Sequence, residues 1–201
     1  MTKINPMSFF SNLFGSRDHK RTSSEMNKVP QAAATKPDYI FYETLATVLV
    51  SNDELRTTLL QQLKKAMDTP EAFFDTDGAF ILSDRGLTYP KALPLVPKFV
   101  LVDTLMEHDL MAEVDWKSAG DEVRFSINQI LKAKGYSFSI AGEDGYEGKD
   151  TYETIAQIND NELQTAGYSL EILDIDSDSY VFTIVPTTQQ ASVAALFDRL
   201  K

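Results

Sequence analysis

The chain has 201 residues, 43% of them hydrophobic, and a formal net charge of −11. That length allows one ordinary domain with a tail, or two small ones, with enough apolar side chains for a real core. The absence of cysteine excludes disulfides, thiolate metal sites and cysteine nucleophiles, and a triad or an imidazole metal site inside the fold would have to depend on His108, the only histidine besides His19.

The charge is unevenly placed. Residues 1–37 carry six lysines and arginines against two acids, a net of +4, which leaves −15 on residues 38–201. A domain that acidic repels nucleic acid and anionic membrane and attracts basic partners. No run is long enough to span a bilayer. The N-terminal apolar group Met7–Phe14 is broken by Ser8, Ser11 and Asn12 and has no small-residue cleavage site close behind it, so the expected location is the cytoplasm.

Residues 1–37 read as a flexible tail and linker ahead of a single acidic domain, 38–201. In the tail, Phe9, Phe10, Leu13 and Phe14 share one side of a short helix, followed by the basic stretch Arg17–Arg21. That pattern fits a foot making weak contact with a membrane surface. It also fits a disordered N-terminus whose hydrophobic patch packs on its own domain or on a neighbour, which is favoured because one or two helical turns anchor poorly.

From Asp38 the apolar period is helical. A first helix runs through Leu49, and Ser51-Asn-Asp-Glu54 has the form of a capping box, with Ser51 as N-cap of a second helix striped by Leu55, Leu59, Leu60 and Leu63. Pro70 opens a short turn of helix, and Ala79–Leu82 reads as a strand. The loop that follows offers Asp84 and Arg85 as a partner-facing pair, against the plainer reading of a local turn. Pro94–Asp109 reads as a helix with His108 near its end. Ala112–Trp116 reads as a strand with Val114 and Trp116 on one face, Trp116 being an anchor in the core or at its rim.

Gly120 opens the next helix and Gly135 closes it. Tyr136–Ile140 alternates aromatic or apolar residues with serine, a half-buried strand pattern. The loop 142–150 contributes Glu143, Asp144, Tyr146 and Glu147 as an acidic surface. A helix through Ile158 and a shorter one ending at Gly167 precede a β-hairpin, Gly167–Pro186, and Ser192–Leu200 closes the chain as a helix. The fold class expected is α+β: a short, mainly antiparallel sheet of three to five strands packed with several helices.

The hairpin turn carries Asp174, Asp176 and Asp178. Alternate carboxylates suggest a calcium loop, but the sixth and twelfth positions from Asp174 are Ser179 and Val185 where that pattern requires glycine and glutamate. An acidic turn is therefore the better reading. No dinucleotide fingerprint, phosphate-binding lysine loop, nucleophile elbow or His-Glu-x-x-His motif occurs, so no cofactor or metal is implied.

Three segments carry a resemblance: Leu82-Ser-Asp-Arg-Gly86, Val114-Asp-Trp-Lys117, and Leu173-Asp-Ile-Asp-Ser-Asp-Ser-Tyr-Val-Phe-Thr-Ile-Val-Pro186. Over about residues 70–200 the chain resembles an uncharacterised bacterial family of small α+β domains, a domain of unknown function. The Asp-Trp-Lys element and the Asp-Ser-Tyr hairpin are its marks. The resemblance brings no reaction to Asp84, Arg85, Asp115, Trp116, Lys117, Asp178 or Tyr180. The expected function is non-enzymatic: an immunity protein or antitoxin meeting a basic toxin with its acidic face. The rival expectations are a hydrolase or transferase using carboxylates near Asp84 and Asp115, and a peripheral membrane or scaffold protein using the tail.

Overall fold

Residues 181–185, Val-Phe-Thr-Ile-Val, break the in-out alternation of a half-buried strand, because every one of them is buried. A continuous run of this kind belongs to a strand covered on both faces, and the architecture follows from that. The computed structural model describes residues 38–73, 93–142 and 148–200. These fall in the compact unit Pro37–Lys201.

Among the described residues the sheet has three antiparallel strands, β1 (Ala112–Asp115), β2 (Tyr168–Leu173) and β3 (Ser179–Pro186), in the order β1-β3-β2. The registers pair Ala112 with Phe182 on one side of β3 and Leu170 with Ile184 on the other. Side chains alternate across the pleat, so Val181 and Val185 enter one core while Phe182 and Ile184 enter a second one.

The first core is closed by α1 (Tyr39–Leu49), α2 (Asp53–Asp68), α4 (Val96–Glu107) and α7 (Gln190–Asp198). The second is closed by α5 (Gly120–Ala133) and α6 (Thr151–Ile158), which supply Val123, Ile127, Ile130, Leu131, Ile155 and Ile158. The short α3 spans Pro70–Phe73. The result is an α+β domain with helices on both faces of a small antiparallel sheet. The first face also holds a buried polar strip, and each member has a partner. Ser169 Oγ donates to Glu171 Oε1 at 2.8 Å, and Thr183 Oγ1 donates to the Leu110 carbonyl at 2.7 Å. Burial raises the Glu171 carboxyl above its ordinary range.

Capping sets the helix ends and corrects one expectation. Asn52, and not Ser51, caps α2: its Oδ1 accepts from the Leu55 N–H at 2.9 Å. Shifting the cap by one residue leaves Asp53 and Glu54 in the first turn, where carboxylates favour the positive end of the helix dipole. Asp38 and Asp150 cap α1 and α6 in the same way.

Residues 136–140 are not a strand. Asn128 on α5 holds the backbone of Ile140 at both groups: Oδ1 accepts from the Ile140 N–H at 2.8 Å, and Nδ2 donates to the Ile140 carbonyl at 3.1 Å. A side-chain amide does there what a neighbouring strand would do. The alternation instead serves stacking, since the rings of Tyr136 and Phe138 lie 4.4 and 6.4 Å from that of Tyr168. The expected strand Ala79–Leu82 lies outside the described residues. The expected helix after Ile158 is a short π-helical segment, Asn159–Leu163, and Asn159 Oδ1 accepts from the Leu170 N–H of β2 at 2.9 Å.

Two expectations follow. Asn128→Ala strands two half-buried backbone groups and should lower unfolding free energy by about 1–3 kcal/mol in urea titrations, and a change near zero would contradict this role. Asn52→Ala should cost about 1 kcal/mol in the same assay, whereas Ser51→Ala should stay within about 0.5 kcal/mol. The opposite ranking would restore Ser51 as the cap.

Candidate functional site

The Asp-Trp-Lys element and the hairpin meet at one end of the sheet. β1 stops at Asp115, opposite Ser179 at the start of β3, and the chain then turns. The Asp115 carboxylate accepts the Lys117 N–H at 2.8 Å, and the Asp115 carbonyl accepts the Ser118 N–H at 2.9 Å, which fixes that turn. Buried Thr151, at the start of α6, closes it from below by donating to the carbonyls of Asp115 and Ser118.

Trp116 thus leaves the strand. It is 49% exposed, so it is not a core residue, and its side chain does not join that of Val114 in the second core. Its backbone N–H donates to the Asp178 carbonyl at 3.1 Å, coupling the turn after β1 to the hairpin. Trp116, Ser177, Asp178, Ser179 and Tyr180 line an open cavity of about 290 Å³. The Tyr152 ring lies 6.0 Å from that of Tyr180 and extends the aromatic surface, and Lys117 Nζ lies 4.4 Å from the centre of the Trp116 ring.

The hairpin turn is built by its own polar groups. Asp174 Oδ1 accepts the Asp176 N–H at 2.9 Å, an Asx turn that lets Asp176 take a left-handed φ of 58°. The hydroxyls of Ser177 and Ser179 pair at 2.7 Å, and Ser179 Oγ also donates to Glu113 Oε1 across the sheet. Beneath the turn, Lys98 is only 6% exposed and donates from Nζ to the Asp174 carbonyl at 2.7 Å. Burial lowers the Lys98 pKa from its ordinary 10.5, and the Asp174 and Asp176 charges oppose that shift without cancelling it.

Of the residues expected to meet a partner, Asp174, Asp176 and Asp178 are exposed together on this turn. Asp84, Arg85, Glu143, Asp144, Tyr146 and Glu147 lie outside the described residues. Of the two places the sequence leaves open for Trp116, core or rim, its exposure selects the rim. The signal available was the serine and glycine that follow it in Lys117-Ser-Ala-Gly120, which mark a turn directly after a four-residue strand. Among the described residues no three of His, Cys, Asp and Glu gather as a metal set, and no helix is long and apolar enough to cross a membrane.

A protein-family model described as Domain of unknown function (DUF6630) matches residues 41–201. The chain belongs to that family. The match takes in α2 and all but the first two residues of α1, so the family domain begins well before the residue 70 that the resemblance suggested. No curated protein and no solved structure matches the chain. In this DUF6630 domain the Asp-Trp-Lys and Asp-Ser-Tyr segments are therefore two walls of one surface feature.

The buried lysine gives a pH test with a defined sign. A lysine whose folded pKa is depressed costs stability while it is charged, and the cost fades as pH rises through the folded pKa toward the ordinary value. The stability of the wild type relative to Lys98→Met should therefore increase between pH 7 and pH 10 in parallel denaturation series. A flat or falling difference would contradict the assignment of Lys98 as a cation held under the turn.

Proposed function

We propose that the chain is a cytoplasmic bacterial binding protein without catalytic activity, an immunity protein or antitoxin that captures a basic toxin. The observation behind this reading is the half-exposed Trp116 set beside the acidic turn Asp174–Asp178. Tryptophan and tyrosine are enriched among the residues that dominate binding energy at protein interfaces. A net −15 on residues 38–201 draws a basic partner toward such a surface and speeds encounter. The cavity suits an inserted side chain better than a reaction, because its two serine hydroxyls are engaged with each other and with Glu113. The hydrolase or transferase reading has no comparable support: the Asp115 carboxylate serves its own turn, and Asp84 lies outside the described residues.

The test is capture of the product of the adjacent gene by this chain, together with protection of cells that express that product. Trp116→Ala should weaken capture about tenfold or more. Asp174→Asn, Asp176→Asn and Asp178→Asn together should slow association and flatten its salt dependence, while asparagine at 174 keeps an acceptor for the turn. Full-strength capture by both variants would move the interface elsewhere. Absence of both capture and protection would remove the reading.

A further inference from the structure

We propose that the cavity at Trp116 is a seat for a single arginine side chain of the partner, and that Lys117 tunes its strength by competing for the same ring. This inference rests on the binding-protein reading above. The walls supply what a guanidinium requires. Trp116 and Tyr180 line it with aromatic rings and Asp178 with an exposed carboxylate, around an open volume of about 290 Å³. A planar guanidinium stacks on an aromatic face and forks to a carboxylate, which an ammonium does less well. The turn's other carboxylates, on Asp174 and Asp176, are exposed beside it and add attraction. The surface is thus complementary in charge to one cationic side chain, and its aromatic rings favour a planar one.

Lys117 already places a cation at the indole, its ammonium lying 4.4 Å from the ring centre. That charge also opposes any second cation brought to the ring. A partner's arginine must therefore share or displace it, and removing the lysine charge should strengthen the seat more than removing an equal charge elsewhere. Lys132, exposed in the last turn of α5, serves as the charge-matched control.

Trp116 is the only tryptophan in the chain, so its fluorescence reports on this site alone. The probe is a nine-residue Gly-Ser-Arg repeat peptide, compared with the same peptide carrying neutral citrulline in place of arginine. Titration into the full chain should give a saturable change in Trp116 emission with the arginine peptide and none with citrulline. Lys117→Gln should tighten binding about threefold or more relative to Lys132→Gln. Asp178→Asn and Trp116→Phe should weaken it, with calorimetry as the readout for the latter. Equal behaviour of the arginine and citrulline peptides, or of the two lysine variants, would overturn the seat. Capture of a basic partner that leaves Trp116 emission unchanged would overturn the seat while sparing the binding-protein reading. Loss of all binding to basic ligands would end both.

Discussion

The constraint on which this domain depends is that β3 is apolar on both faces. Val181 and Val185 on one side and Phe182 and Ile184 on the other cannot be satisfied by a single layer of helices. Two cores are needed, and the helices divide between them: α1, α2, α4 and α7 on one face, α5 and α6 on the other. The strand also pairs with both neighbours, so among the described residues it is the one strand that joins β1, β2 and both cores. Each fully buried aliphatic or aromatic side chain on it contributes about 1.5–3 kcal/mol of transfer free energy.

A central strand covered on both faces has a consequence at its end. The turn that precedes β3 is held from three directions: from within by Asp174 and the paired serines, from the side by the Trp116 N–H on the Asp178 carbonyl, and from below by buried Lys98. Three neighbouring aspartates repel one another, and a loose loop would let them spread. The tethers keep them together beside an exposed indole. A lysine under an acidic turn is costly to bury, which is why its pKa falls, but its ammonium neutralises part of the crowding above it. Negative charge is thereby presented in a fixed place, and a preorganised surface loses less entropy on binding a partner.

The parts of this architecture visible in the sequence are those with local causes. The hairpin and most of the helices follow from periodicity and turn chemistry over a few residues. The misreadings at Tyr136–Ile140 and at the helix after Ile158 have causes beyond the local window. Asn128 and Asn159 use side-chain amides to satisfy the backbones of Ile140 and Leu170, eleven or twelve positions away, so alternation in Tyr136–Ile140 gave a strand signal without a ladder. Ser51 and Asn52 are both good caps, and only the geometry chooses between them. For Trp116, strand parity with Val114 left both the core and its rim open. The strand ends one residue before it, and its neighbours in space come from a segment about sixty residues later. The acidic turn was legible as chemistry, but not its adjacency to the Asp-Trp-Lys element.

The central claim is that the join between these two segments is the working surface of the domain. Backbone amide chemical-shift mapping tests it most directly, with the isotopically labelled chain titrated by the adjacent-gene product or by the arginine peptide. The account predicts the largest perturbations at residues 115–117 and 176–180, with α2 on the first core unaffected. Perturbations concentrated on α1 and α2, with Trp116 and Asp178 unchanged, would contradict it.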